Sequence, residues 1–256
     1  MDTGTGMEQN RGLSGSSLKM IAMVAMCIDH FAATVLERQL SFGDTLSDAL
    51  FILVYYGLRL VGRVAFPIFI YLLVQGLEHT RNRWKYLLRM CIFAIVSEIP
   101  FDMAFNLSRG QIFHGKLIEF TYQNVFFTLA LGLLVIIGIK AVNETNWKLV
   151  GKVFCNIGIT AAGMVIAALL QTDYGAMGVL AITVMYLFRS QPIVATCVCC
   201  AVLMLASFLE FTAFAVVPLI VFYNGTRGWK MKWLFYIFYP AHLLVFWLIC
   251  LALGIA

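Results

Sequence analysis

Long apolar runs separated by short polar breaks dominate the chain. The first, Leu18–Leu36, reads LKMIAMVAMCIDHFAATVL. A helix rises about 1.5 Å per residue, so a run of this length crosses a hydrocarbon core about 30 Å thick. The same pattern predicts about nine spans, at 18–37, 61–79, 86–106, 122–141, 149–170, 174–189, 192–208, 210–224 and 232–253. The stretch 46–60, LSDALFILVYYGLRL, is apolar but short, and it runs straight into the second span. It is expected to lie in the membrane interface as an amphipathic helix, because a separate crossing there would invert everything downstream. No internal repeat is evident, so the repeat signature of many transporters is missing. The fold class expected is all-α, a polytopic membrane helix bundle.

Charge placement sets the orientation. With the N-terminus cytoplasmic, the inner loops collect Arg81, Arg83, Lys85, Lys140, Lys148, Lys152, Arg189, Arg227, Lys230 and Lys232. The outer loops carry few basic residues and several acids, among them Glu37, Asp48, Glu119 and Asp173. This is the positive-inside pattern, and it leaves the C-terminus extracytoplasmic. Residues 1–17 are polar and rich in Gly, Ser and Thr, so a disordered tail is expected there. Residues 18–256 are expected to form one transmembrane domain. The first run is too long for a signal-peptide core and lacks a small-residue cleavage site.

Composition agrees. Hydrophobic residues make up 62% of the chain, charged residues 12%, and mean hydropathy is +0.90. A soluble domain is about half apolar and a quarter charged. The net charge of +5 therefore reports loop placement and does not point to nucleic acid. The seven cysteines lie in or near apolar segments, and Cys197, Cys199 and Cys200 have no His or charged neighbour, so packing is favoured over metal binding and no metal is expected.

Ionisable residues deep in a span mark function or an internal partner. Asp29 and His30 are adjacent near the middle of the first run, with His30 roughly 16 Å beyond Lys19. Neighbours on a helix point about 100° apart, so one can face a cavity while the other meets a helix. A histidine suits general-base work near neutral pH. The bland alternative is a core histidine bonded to a backbone carbonyl. Arg63 opens the second span and needs a carboxylate, with Glu98 and Asp102, four residues apart on the third span, as candidate partners. Pro100 between them frees backbone carbonyls. A structural ion-pair network and a catalytic role fit these residues equally. His242 lies about as deep in the last span as His30 does in the first, so the two can meet. The basic inner loops are explained by orientation alone, and they would also suit a phosphorylated ligand.

The ordered motifs Ile28-Asp-His30, Gly62-Arg-Val-Ala-Phe-Pro-Ile-Phe69, Ser97-Glu-Ile-Pro-Phe-Asp102, Gln123-Asn-Val-Phe-Phe-Thr128, Tyr223-Asn-Gly-Thr-Arg-Gly228 and Phe238-Tyr-Pro-Ala-His242 resemble the TraX family. The resemblance runs from about Leu18 to Leu244. That family is named for a membrane protein that acetylates the N-terminus of pilin, and it is similar to a broader group of transmembrane acyltransferases that includes bacterial sugar O-acetylases. In those O-acetylases a basic residue precedes a histidine by eleven positions; Lys19 and His30 keep that spacing, with Lys where Arg is commoner.

The resemblance implies transfer of acetyl from cytosolic acetyl-CoA, as co-substrate, to an extracytoplasmic amine or hydroxyl, at a protein N-terminus or a surface glycan. His30 would be the base, oriented by Asp29. Arg63, Asn124 or His242 would steady the oxyanion. Lys19, Arg81, Arg83, Lys85, Arg227 and Lys230 would hold the coenzyme A phosphates, and Glu98, Asp102 and Asn124 would shape the acceptor side. Membrane lipid is an expected partner, a homo-oligomer is compatible with the sequence, and a bacterial inner membrane suits the compact loops. The rival from another class is a proton-coupled transporter with Asp29, His30, Glu98 and Asp102 as its relay.

Overall fold

Residues 12–40, 48–230 and 232–255 are described by a computed structural model. Residues 1–11 of the expected disordered tail, and 41–47 of the first outer loop, lie outside the described residues. The tail's last residues are ordered. Ser14 caps the first helix by accepting a hydrogen bond from the Ser17 backbone at 3.2 Å, so the helix starts at Gly15, ahead of the predicted span.

The described residues form helices and turns with no strand. α1 (Gly15–Phe31) passes through a π-helical segment, Ala32–Leu36, into a last turn, Glu37–Leu40. α2 (Asp48–Gly62) and α3 (Ala65–His79) are joined at Arg63–Val64. α4 (Arg83–Phe101) ends in a second π-helical segment, Asp102–Asn106, and short α5 (Arg109–Phe113) follows. α6 (Val125–Asn143), α7 (Leu149–Leu169), α8 (Gly175–Leu187) and α9 (Pro192–Ala206) come next. A 3₁₀ stretch, Phe208–Ala215, leads into α10 (Val216–Val221), and α11 (Lys232–Leu253) closes the chain. Pro218 sits in the first turn of α10, where its missing N–H costs nothing.

Five helical stretches are long and apolar enough to cross a membrane: Gly15–Gln39, Ala49–His79, Val125–Asn143, Leu149–Leu169 and Trp233–Leu253. α8, α9 and the Phe208–Val221 stretch are apolar but shorter, while α4 carries Arg83, Lys85, Arg89 and Glu98. The region expected to lie apart as a surface helix is α2, which continues into α3 after a two-residue turn.

Hydrophobicity decides what is inside. α3 is apolar nearly all round and is buried along most of its length, as a core helix should be. α6 packs beside it with Leu133, Ile136 and Ile139 fully buried. The periphery is apolar too: Leu53 is 69% exposed, Phe154 71% and Leu169 78%. A soluble protein rarely exposes so much contiguous apolar surface, and lipid is what such a surface meets. The chain is an integral membrane protein.

α1 starts, α3 ends and α4 starts at one end of the bundle, called here the near end. The 222–229 segment is tied to that end through backbone bonds. Leu13 N–H donates to Phe222 O at 2.8 Å, Gly15 N–H to Thr226 O at 2.8 Å and Ser16 N–H to Arg227 O at 3.1 Å. Gly228 closes the tie at φ +65°, where a Cβ would lie 2.1 Å from Ser16 Oγ. Only glycine takes that conformation without strain, and only glycine leaves room for the serine.

Candidate functional site: a histidine pair and two cavities

His30 lies two residues before the π-helical segment that follows α1, and Thr34 Oγ1 donates to the His30 carbonyl at 2.6 Å. Such segments recur at functional sites because they free a carbonyl and re-aim the side chains beside it. From α11, His242 reaches His30: His30 Nδ1 and His242 Nε2 are 2.7 Å apart. The meeting expected from depth alone is therefore present. His242 Nδ1 also lies 2.7 Å from the Phe238 carbonyl oxygen.

That last contact fixes the proton positions of the neutral pair. A carbonyl only accepts, so His242 carries its proton on Nδ1 and offers a lone pair at Nε2. His30 must then donate from Nδ1, which leaves its Nε2 unprotonated. His30 is thus oriented by His242 and the Phe238 carbonyl, in the role expected of Asp29.

Asp29 does something else. Its Oδ2 meets Arg59 Nη1 at 2.9 Å and its Oδ1 meets Arg63 Nη2 at 2.8 Å. Arg63 also reaches Glu210 Oε1 through Nη1 at 2.9 Å, and donates from Nε to the Arg59 carbonyl at 3.1 Å. Arg63 meets neither Glu98 nor Asp102, the partners expected from depth. Gly62 explains the close approach: a Cβ there would sit 2.2 Å from the Asp29 Cβ. Glu210 opens a short 3₁₀ stretch whose apolar neighbours hide it in the sequence.

Glu98, Asp102 and Asn124 are placed as ties between elements. Asn124 caps α6, accepting from Phe126 N–H at 3.0 Å. Its amide donates to the Ala94 carbonyl at 2.8 Å and to Glu98. Asp102 accepts from Glu119 N–H at 2.8 Å and from Asn106 Nδ2 at 2.6 Å, holding the following loop. None of the three lines either cavity described next.

A cavity of about 240 Å³ lies at the far end of the bundle. His30, Asp29, Arg59 and Arg63 form one side of it, and Tyr122, Asp173 and Tyr174 the other. Tyr122 donates to Asp173 Oδ1 at 2.6 Å, and Tyr174 stacks on Phe66 at 3.6 Å. Burial pushes the Asp173 carboxyl above the usual carboxylate range, with the Tyr122 bond opposing it. Neither Asp173 nor Tyr122 is marked by any motif, since both sit in loops that the fold brings over His30.

A larger cavity, about 500 Å³, lies at the near end. Lys19, Arg89 and Arg227 line it, with Tyr86, Tyr223 and Tyr236, and no acidic side chain among the described residues does. Of the six residues expected to hold phosphates, Lys19 and Arg227 are here. Arg81, Lys85 and Lys230 are exposed elsewhere, and Arg83 faces Glu144 at 3.5 Å. Arg89, which lines the cavity from α4, was not among the expected ligands. Lys19 and His30, eleven positions apart, thus serve different cavities roughly 16 Å from one another along α1.

A helical membrane protein with a histidine pair at the wall of the far of two cavities is the class this arrangement defines. The family model for the TraX protein matches residues 14–250, and the chain belongs to that family. It is 30% identical over 260 residues to a protein of Dichelobacter nodosus described as "Probable fimbrial assembly protein FimC, serogroup H1", a match covering 93% of this chain and 96% of that one. No solved structure matches.

Proposed function

We propose that this protein is a membrane acetyltransferase that moves acetyl from cytosolic acetyl-CoA to an extracytoplasmic amine or hydroxyl. The observation that carries the reading is the 2.7 Å contact between His30 Nδ1 and His242 Nε2, which leaves His30 Nε2 as a base at the wall of the far cavity. The topology that goes with it has nine crossings in a bacterial inner membrane, the N-terminus cytoplasmic and the C-terminus outside. The near cavity then faces the cytosol and the far cavity the acceptor.

Coenzyme A carries phosphates, and Lys19, Arg89 and Arg227 are the groups that bind them, Arg in bidentate fashion. The acceptor enters the far cavity, and His30 Nε2 removes its N–H or O–H proton as the lone pair attacks the thioester carbonyl. The C–S bond breaks and the thiolate leaves, taking up a proton as coenzyme A thiol. His30, now cationic, keeps its Nδ1–H bond to His242 Nε2. The positive field of Arg59 and Arg63 favours the developing oxyanion. The relative's name, a fimbrial assembly protein, makes a fimbrial subunit's terminal amine the acceptor to try first.

Two cavities at opposite ends, the far one lined by Asp29, His30, Arg59 and Arg63, would also serve proton-coupled transport. Calorimetry of acetyl-CoA with the detergent-purified protein, followed by acetyl transfer to peptides with free or blocked amino termini, tests the choice. Saturable binding and transfer to the free terminus support the enzyme. No binding by folded protein, with proton flux in liposomes, sinks it and leaves the transporter.

A further inference from the structure

Phe69 is the only side chain, among the described residues, that lines both cavities. The helices around it run past the two spaces in turn. α3 gives Phe66 to the far cavity and Leu73 and Gly76 to the near one, and Phe69 lies between them on the same face. α6 gives Val125 to the far cavity and Leu129, one turn on, to the near one. The ring of Phe69 is 7% exposed and rests edge-on against Phe235, 5.0 Å between centroids at 64°.

We propose that Phe69 is the partition of a path through the protein, sealing one cavity from the other and setting the longest acyl group that can pass between them. Among the described residues nothing but this ring is shared by the two linings, which puts it where the two spaces come nearest. Its polar-free contact with Phe235 holds it by packing alone, and a ring held that way can rotate where a hydrogen-bonded group could not. The acyl half of the proposal rests on the transferase reading, because there the acetyl group must go from the basic cavity to His30. A passage bounded by one aromatic ring admits a short acyl chain and rejects longer ones. Shortening the ring should therefore join the cavities and relax the length limit together.

The protein is reconstituted into liposomes that hold a pH-sensitive dye, and a pH step is applied outside. Phe69→Ala is expected to relax the gradient at least tenfold faster than the wild type, with Phe69→Leu between them and Phe69→Trp as tight as the wild type. A Phe69→Ala protein that elutes and melts as a folded species, yet is as tight as the wild type, overturns the partition. If Phe69→Ala does not fold, Phe69→Leu decides in the same way. This arm needs no acetyl transfer, so it stands even if acetyl-CoA fails to bind and the transferase reading falls. Where the wild type does transfer, the butyryl-CoA to acetyl-CoA ratio of kcat/KM should rise about tenfold or more in Phe69→Ala, the scale that added methylenes carry in an apolar site. An unchanged ratio in a leaky variant overturns the acyl-length role.

Discussion

At the far end of the bundle, Asp29, Arg59, Arg63 and Glu210 answer one another's charge at 2.8 and 2.9 Å. At the near end, Lys19, Arg89 and Arg227 face a common space that no carboxylate among the described residues lines. α1 is common to both sets and supplies Asp29 to one and Lys19 to the other. The first arrangement closes its own electrostatics and holds α1, α2 and the Phe208–Ala215 stretch in register. The second stays open, because like charges gathered around a cavity remain favourable only when an anion joins them. Paired charge ties elements together at one end, where His30 also lies, and basic charge gathers around a cavity at the other.

That contrast can be broken most severely at Arg63. Arg63→Met leaves Glu210 buried without its cation and should cost about 3–5 kcal/mol of stability, read as a lower melting temperature in detergent. Combining it with Glu210→Leu should recover much of the loss, since removing both members of a buried pair costs far less than removing one. A single variant that melts like the wild type would show that the far network holds nothing together. Next in size, His30→Ala should lower acetyl transfer about a thousandfold with the melting temperature unchanged, the range general bases supply. Full activity in that variant would remove the histidine pair from the mechanism.

Lys19→Ala with Arg227→Ala should weaken acetyl-CoA binding by about a hundredfold, at roughly 1.5 kcal/mol or more for each charge-assisted bond, and the remaining binding should be less sensitive to salt. Arg81→Ala with Arg83→Ala should leave the dissociation constant within about twofold. Calorimetry at two salt concentrations measures all four outcomes, and the reverse ranking would move the binding site out of the near cavity. The smallest effect is expected at Gly228→Ala. Left-handed backbone costs a non-glycine residue about 1–2 kcal/mol, and the new Cβ would press on Ser16 Oγ. A modest fall in melting temperature, with acetyl-CoA binding a few-fold weaker as Arg227 shifts, is the outcome to look for.

Depth counting was enough to place the histidines. His30 lies about as far beyond Lys19 as His242 lies beyond Lys232, and α1 and α11 do pack together. The same counting misplaced Arg63's partners, because depth says nothing about which way a side chain turns around its helix. Gly62 held the missing signal: a glycine at the end of α2 lets that helix press on Asp29. Glu210 gave no such sign, since its stretch is too short and apolar for periodicity to show which face is buried. The basic loops were read by side of the membrane, which charge pattern reports well. Which members line a cavity depends on where the 222–229 segment folds back, and no local pattern encodes that. The long helices were largely legible, but the span expected at 210–224 is a 3₁₀ stretch and a six-residue helix, and the π-helical segments after His30 and Phe101 were not foreseen, since one extra residue per turn leaves composition unchanged.

His30 and His242 are 212 residues apart, and so are Gly12 and Asn224, whose contact helps hold the start of α1. A ribosome adds about 5–20 residues each second, so His30 leaves it on the order of 10–40 s before its partner exists. For that interval α1 carries His30 in the bilayer with no α11 to meet it. The histidine pair therefore forms only when synthesis is almost over, and a chain interrupted before α11 lacks it altogether.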